Sequence, residues 1–505
     1  MAAVGRWLGI SVALLLCLAP TFGYAMDAAK PELNYMAGIM ALMAIFWLTE
    51  AIPMAATALL PLALYPLLNI QDAAEVSQHF GSRFIFLFLG GFLLALAIEE
   101  SGLHRRLALA MIYAVGDRPR RVILGFMLAT AGLSMWISNT ATTLLMLPIA
   151  VSVLAQISSG IQDEKRKKNL GIGLMLCIAY AASIGGCATL IGTPPNIAFA
   201  SYFETNFPDQ PPIGFATWLM MVFPFSLVFL FICWFVMTRL LFPVGGDSSL
   251  GGRAVIQKAL HELGPMSQAE WRMAVVFLCT ALLWILREPV ADWGWAPLLG
   301  VEKQFDVDGI TVLNVWADDG TIAMIMAIIC FLLPSGKKDN SRLLEWSVSK
   351  RVPWGILLLF GGGVALASGL KTTGLDELLG QQLASAMSTL SPDGMIAVSA
   401  TGMVWLTEFT SNLASIQMLL PVLDSTAQQL NVDPLLLMLP ATLAASCAFM
   451  MPVATPPNAI IYGSGHVPIR SMIKAGIVLN LISSVLIWLV IRFLAPLFFE
   501  SLQNM

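Results

Sequence analysis

The sequence predicts an all-α, polytopic membrane protein built from two related halves, and three observations lead there. Of its 505 residues 58% are hydrophobic and only 11% charged, with a mean hydropathy of +0.79, more apolar surface than a soluble core of this size needs. The tetrapeptide Thr-Pro-Pro-Asn occurs twice, at 193–196 and 455–458, and a Ser-Asn pair in apolar sequence precedes each copy. Ser134, Ser138, Asn139 and Pro148 stand 273 positions before Thr407, Ser411, Asn412 and Pro421, while Gly90-Gly91 and Gly102-Leu103 recur 272 positions on as Gly362-Gly363 and Gly374-Leu375. The duplication therefore covers whole halves. Paired hydrophobic segments interrupted by Gly and Pro are the sequence pointer to a transporter's substrate site.

Apolar runs between charged or Gly/Pro-rich breaks place about 11 transmembrane helices, near 7–25, 34–51, 53–70, 84–100, 170–203, 215–242, 271–288, 320–335, 354–370, 435–463 and 470–497. The first run is short for a span, and Arg6 ahead of it also fits a cleaved signal peptide. A retained helix is expected, since a cytoplasmic N-terminus makes the later topology work. Residues 121–157 and 393–430 are different: each has two apolar arms about a polar Ser-Asn centre, and each arm is shorter than the roughly twenty residues needed to cross. Both read as re-entrant hairpins whose non-helical tips must be buried in protein or line a cavity. Residues 103–116 and 373–388, just before the hairpins, are amphipathic enough to lie along the interface. The segments 170–203 and 435–463 carry Thr-Pro-Pro and read as broken helices. The chain thus divides into an N-terminal helix (1–33), a first repeat (34–242), a cytoplasmic linker (243–270) and a second repeat (271–505).

Charge tests this topology. Starting inside, Arg6, Arg105, Arg106, Arg118, Arg120, Arg121, the run 165–168, Arg239, Arg253, Lys258, Arg272, Lys337, Lys338, Arg342, Lys350, Arg351, Arg470 and Lys474 are cytoplasmic. Only Lys30, Arg83, Arg287, Lys303, Lys371 and Arg492, six of the 27 basic residues, face outward. That bias follows the positive-inside rule and puts the two hairpins on opposite sides, so the repeats are expected to be inverted in a cell (inner) membrane. The seven cysteines are scattered singly and the four histidines are isolated, which argues against haem, zinc or di-metal chemistry. Gly361-Gly-Gly363 lacks the Gly-Lys-Ser/Thr of a phosphate loop, and neither long connection, 243–270 or 289–319, is a domain of its own. Neither ATP-driven pumping nor a nucleic-acid partner is expected.

The candidate site follows from the polar residues at depth. Asn139 and Asn412 offer amide donors and acceptors, and Ser138, Thr140 and Ser411 add hydroxyls suited to a carboxylate. Ser134 and Ser138, like Thr407 and Ser411, are four apart and share a helical face before each tip. Two successive prolines at each break remove backbone donors, so carbonyls at 188–192 and 450–454 are candidate hard ligands for a small cation such as Na⁺. A lone Ser or Thr in a membrane helix usually bonds its own backbone; a duplicated constellation beside broken helices is harder to read that way. Glu50 and Glu408, near helix ends, are read as structural hydrogen-bond partners; a proton relay through Glu408, which would make an H⁺-coupled carrier, is the less favoured alternative.

Trp136-Ile-Ser-Asn-Thr-Ala-Thr142, Gly192-Thr-Pro-Pro-Asn196, Thr407-Glu-Phe-Thr-Ser-Asn412 and Ala454-Thr-Pro-Pro-Asn458 resemble the divalent anion/sodium symporter family of di- and tricarboxylate carriers, and the likeness runs from Trp47-Leu-Thr-Glu-Ala-Ile-Pro53 to the last helix. The resemblance implies a homodimer whose protomers have a scaffold domain and a transport domain holding both hairpins, moving as an elevator. It also implies one Na⁺ near Ser134, Ser138, Asn139 and Gly192 and a second near Thr407, Asn412 and Ala454, with substrate carboxylates at Asn139, Thr140, Ser411, Asn412, Thr193 and Thr455. One departure stands out: Leu413 occupies a place where many relatives have Thr, and Ser415 is the nearby hydroxyl that can compensate. No Lys or Arg lies near either tip in sequence, so co-bound Na⁺ would supply the positive charge a dianion needs. The expectation is a Na⁺-coupled carrier of succinate-, malate- or fumarate-like dicarboxylates in a lipid bilayer. A Na⁺-independent exchanger, a sulfate or tricarboxylate carrier and, more remotely, an anion channel are the alternatives; an enzyme is not expected.

Overall fold

The computed structural model describes residues 2–502 apart from 28, 117, 160, 246–251, 288–293, 301, 308–309, 316 and 338–339, with backbone alone at 2, 159, 252, 302–307, 310–315 and 500. Lys338 and parts of both long connections lie outside the described residues. Among the described residues the regular structure is helical apart from one strand hairpin and an isolated Pro334–Arg342 bridge, and nine helices are long and apolar enough to cross a membrane.

Helix α1 (Ala2–Leu18) lies along α2 (Glu32–Thr49), close because small residues line the seam: a Cβ on Gly9 would meet the Phe46 ring and one on Gly38 would meet Cys17 and Ala13. Helix α2 stops at Glu50, whose φ of 47° is left-handed; the side chain is exposed. The expected span at 53–70 is two short helices, α3 (Met54–Thr57) and α4 (Leu60–Leu67), with α5 (Ala73–Gln78) following behind an Asp72–Glu75 capping box.

From here two runs of elements share one order. Helix α6 (Arg83–Ser101) ends on Gly102 at φ 81° and turns into α7 (Leu103–Val115); after it come hairpin arms α8 (Pro119–Ser134) and α9 (Asn139–Ser159), the broken pair α10 (Glu164–Gly186) and α11 (Pro194–Asn206), and α12 (Phe215–Phe235), which finishes in a π turn. The connection holds α13 (Gly252–Glu262), α14 (Gln268–Ile285), α15 (Trp295–Leu298), strands β1 (Glu302–Val307) and β2 (Ile310–Val315), and α16 (Asp319–Leu332). The second run is α17 (Trp354–Thr373), ending on Gly374 at φ 79°, then α18 (Leu375–Met387), hairpin arms α19 (Pro392–Thr407) and α20 (Asn412–Leu430), the broken pair α21 (Leu435–Ala445) and α22 (Pro456–Gly463), and α23 (Ile469–Leu489) with its own π turn. Both α7 and α18 have 13 residues and both α8 and α19 have 16, each of the latter starting on a proline whose missing N–H costs nothing at a first helical position.

Helix α10 starts six residues earlier than the hydropathy suggests, because Asp163 accepts from the backbone N–H groups of Lys165 and Arg166 and so caps a charged first turn. The antiparallel β1–β2 pair is an addition to the all-helical expectation; its signal is Asp308-Gly309 between two alternating runs. Helix α10 is almost wholly buried and forms the centre, while α12, α14 and α23 leave residues such as Phe231, Leu278, Leu282 and Leu481 exposed, as a lipid-facing surface requires. Charged clamps tie the periphery: Arg106 reaches Glu270 at 2.7 Å and three carbonyls of the 263–265 turn, Arg351 pairs with Glu99 and Glu100, and buried Arg287 holds Asp319 at 2.8 Å.

Candidate functional site

The tip of each hairpin is stitched to the broken helix of its own half by the same three oxygens. In the first, the Ser134 hydroxyl lies 2.5 Å from Asn139 Oδ1 and 2.8 Å from the carbonyl of Ala182, near the end of α10. In the second, the Thr407 hydroxyl lies 2.6 Å from Asn412 Oδ1 and 3.1 Å from the carbonyl of Ala445, the last residue of α21. Ser134 and Thr407 are fully buried, and a hydroxyl proton can satisfy one of two such acceptors at a time, so each cluster gathers more oxygen than hydrogen. The cluster belongs to the geometry of a tip: the chain leaves one helix at Ser134 or Thr407 and enters the next at Asn139 or Asn412, five residues on.

The breaks are built by their asparagines. Two prolines in succession withhold two backbone donors, and the side-chain amide of Asn196 replaces them, donating to the carbonyls of Cys187 at 3.1 Å and Thr189 at 2.8 Å. Asn458 does the same for Ala448 and Met451, both at 3.1 Å. This corrects the expectation that the carbonyls of 188–192 and 450–454 are free as a set, since Thr189 and Met451 are taken. The remaining acceptors include Gly192, whose position is fixed by a bond from its N–H to Thr189 Oγ1 at 3.0 Å. A Cβ on Gly186 would lie 2.5 Å from Asn139 Oδ1 and 3.1 Å from the carbonyl of Gly192, so those two oxygens flank one glycine-sized space. Asn196 Oδ1 and Asn458 Oδ1 are buried and have no hydrogen-bond partner. Surplus buried oxygen of this kind suits a hard cation.

The other predicted residues are placed as follows. Ser138 opens α9 and accepts from the Ala141 N–H at 3.2 Å; Thr140 is half-buried in the first turn. Ser411 is the N-cap residue of α20, its side chain making no capping bond, and Ala454 is buried one residue before Thr455, which accepts from the Asn458 N–H at 3.4 Å. Thr193 lies 3.3 Å from Ser446, hydroxyl to hydroxyl, so the two breaks meet across the halves. Ser415 is engaged by Thr410 at 2.5 Å, and Leu413 is buried at 4% exposure. Asn196, Asn458 and Ser446 carry roles that attention to Thr and Pro in the repeat overlooks; the duplicated tetrapeptide itself contains the signal for the first two.

Glu408 is the structural hydrogen-bond partner expected of it. Its Oε1 accepts from the N–H groups of Phe449 at 2.8 Å and Met450 at 2.9 Å and from the Asn480 amide at 2.7 Å, and Oε2 accepts from the Met451 N–H at 2.9 Å. All four partners are donors, and the carboxylate so anchors the second tip to the non-helical stretch between α21 and α22. Groups of His, Cys, Asp and Glu able to hold a metal are absent among the described residues.

Comparisons with known proteins agree with this architecture. The family model for the sodium:sulfate symporter transmembrane region matches residues 5–499. The sodium-dependent dicarboxylate transporter SdcS of Staphylococcus saprophyticus is 39% identical over 498 residues, covering 98% of this chain and 92% of that protein, and SdcS of Staphylococcus aureus is 38% identical over 499 residues with the same coverage. Among solved structures, the Alcanivorax borkumensis YdaH transporter aligns with a TM-score of 0.55 at 14% identity, over 92% of this chain and 98% of that one. Neisseria gonorrhoeae MtrF aligns at 0.54 and 11% identity, over 91% and 94%. Those two likenesses speak to the fold. With a family model spanning nearly the whole chain and relatives of this identity, the chain belongs to the sodium:sulfate symporter family, whose members are membrane transporters and not enzymes.

Proposed function

We propose that this chain is a secondary active carrier that moves C4 dicarboxylates such as succinate, malate and fumarate across the cell membrane together with Na⁺. The observation that carries the reading is the duplicated cluster of hydroxyl, amide oxygen and helix-end carbonyl, Ser134–Asn139–Ala182 and Thr407–Asn412–Ala445. Each cluster would hold one Na⁺, the first with Ser138 and Gly192 beside it and the second with Ala454. Asn139, Thr140, Ser411 and Asn412, with Thr193 and Thr455 at the breaks, would take the substrate carboxylates; Ser415 would join them by releasing Thr410.

The coupling is electrostatic. A dianion brought to membrane depth is costly without a partner charge, and two bound cations bring that charge with them. Binding of each then favours the other, which is the coupling a symporter needs. The SdcS relatives are named as sodium-dependent dicarboxylate transporters, which supports both ion and substrate class. The shared element order of 83–241 and 354–494, with basic residues gathered on one side, supports inverted repeats and a cytoplasmic N-terminus. In this reading the hairpins and broken helices form a transport domain that slides past a scaffold, and two protomers join through their scaffolds.

The test is uptake of labelled succinate into proteoliposomes under an inward Na⁺ gradient, with K⁺ in its place, and into vesicles preloaded with unlabelled succinate. Gradient-dependent uptake is the expected result. Uptake confined to preloaded vesicles would instead mean a Na⁺-independent exchanger, and none at all would turn the question to sulfate and tricarboxylates.

A further inference from the structure

A partly open cavity, largely apolar with a few polar groups, lies beside α20. It encloses about 160 Å³ between α11, α17 and α20, and none of the residues assigned above to Na⁺ or dicarboxylate lines it. At one end stands Lys371, whose ammonium meets Asn206 Oδ1 at 2.7 Å and Asp424 Oδ2 at 3.4 Å. An ammonium has three N–H donors, so one remains beyond these two partners. Asp424 is itself spoken for, accepting from the Tyr202 hydroxyl at 2.7 Å and the Gln428 amide at 2.8 Å. Ser368 accepts from the Gln71 amide at 2.8 Å, which leaves its own proton to donate.

Gln417 lines the same cavity and is 4% exposed. Its Nε2 donates to the carbonyl of Phe360 at 3.1 Å, which fixes the amide's orientation, and its Oε1 is buried without a hydrogen-bond partner. His79 Nε2, also on the lining, is a second buried polar atom without one. Buried polar atoms are normally satisfied, so Gln417 Oε1, its orientation fixed by Phe360, calls for a donor on whatever fills the cavity. Gln417 Oε1 needs a donor, Lys371 and Ser368 offer donors, and Ala198, Val364 and Ala367 line the space between.

We propose that this cavity is a binding site for a small hydroxy-monocarboxylate, its carboxylate at Lys371 and Ser368 and its hydroxyl donating to Gln417 Oε1. Its walls come from α11 and α20, placed above in the transport domain, and from α17, which is part of neither a hairpin nor a broken helix and so falls to the scaffold in that reading. An occupant therefore bridges the two and slows transport without displacing substrate. That effect rests on the proposed function; the binding does not.

The probes are 4-hydroxybutyrate and butyrate, which differ by the one hydroxyl, applied to the full-length protein in lipid. The first is expected to raise Tm in the presence of saturating Na⁺ and succinate and to lower Vmax for succinate with KM unchanged; the second is expected to do neither. Ala367→Leu, which fills the cavity, and Gln417→Met, which removes the acceptor, should each abolish the Tm shift. The proposal is overturned by the absence of any shift, by an equal shift from the two probes, by a shift that survives both variants, or by a rise in KM at constant Vmax. A Tm shift in protein that takes up no succinate would sink the transport reading and leave this one standing.

Discussion

Replacing Glu408 by Gln should destabilise the protein rather than switch off a proton pathway, and the size of the effect follows from the bonds the carboxylate makes. Four donors converge on it, three at Oε1 and one at Oε2. Gln keeps the shape and one acceptor oxygen. Its least costly placement leaves Oε1 with Phe449, Met450 and Asn480 and turns the new NH₂ group toward the Met451 N–H, donor against donor. One bond to a charged group is lost, the half-buried Met451 N–H is stranded, and the three remaining bonds weaken as the charge disappears. A bond to a charged group contributes about 1.5–3 kcal/mol and a stranded buried donor costs about 1–3 kcal/mol, so a loss of roughly 3–5 kcal/mol is expected. The flipped amide strands more donors and costs more.

Thermal unfolding of the purified protein in detergent measures this directly. Glu408→Gln should lower Tm clearly, and Glu408→Ala should lower it further because all four bonds to the carboxylate are then lost and only the Phe449 N–H keeps another acceptor, Asn480 Oδ1 at 3.3 Å. Sodium should restore part of the loss if the second site survives, since a ligand that binds the folded state stabilises it. A Glu408→Gln protein that unfolds at the wild-type temperature, yet loses a pH dependence of uptake, would refute the reasoning and make Glu408 a proton carrier.

Three further substitutions probe the site. Asn139→Ala removes the half-buried amide proposed as a Na⁺ and substrate ligand, and uptake of succinate should fall by roughly 30- to 150-fold, the equivalent of about 2–3 kcal/mol. Gly186→Ala places a methyl 2.5 Å from Asn139 Oδ1, so the Na⁺ concentration for half-maximal uptake should rise about tenfold or more while the second site is untouched. Leu413→Thr adds a hydroxyl to the first turn of α20, and competition assays should show a changed ranking among dicarboxylates; an unchanged ranking would mean that the side chain points away from the substrate.

Much of this architecture is legible in the sequence because membrane depth allows few choices. A run such as 215–235 has no alternative to helix in hydrocarbon, and a polar Ser-Asn centre between two short arms cannot be a lipid-facing loop. The glycines at 102 and 374 announce their turns for a reason that the structure makes plain, both being left-handed. Other features depend on partners far away in sequence. Asn480 reaches Glu408, 72 residues off, and Ser446 reaches Thr193, 253 residues off; neither has a local pattern that could reveal it. The break carbonyls were legible as a class and not one by one, since only the fold shows that the asparagines of the repeat turn back on Thr189 and Met451.

The two tips are alike in their oxygen clusters and opposite in how they are anchored, which bears on what each can do. At the first, the tip offers a backbone acceptor: the carbonyl of Met135 takes a bond from the Thr189 hydroxyl in the break, at 2.5 Å. At the second, 273 positions on, the tip offers a side-chain acceptor, and Glu408 takes backbone N–H groups from the break. Besides the Ser134–Ala182 and Thr407–Ala445 bonds that the tips share, the first has one further neutral hydrogen bond to its break, whereas at the second the Glu408 carboxylate takes three N–H groups of the break and the Asn480 amide, so by the usual magnitudes this second contact is the stronger. The halves share a constellation by duplication but not its anchorage: Trp136, packed on Phe215, Phe277 and Trp284, and the Met135 carbonyl hold the Ser134–Asn139 tip, whereas the Glu408 carboxylate holds the Thr407–Asn412 tip.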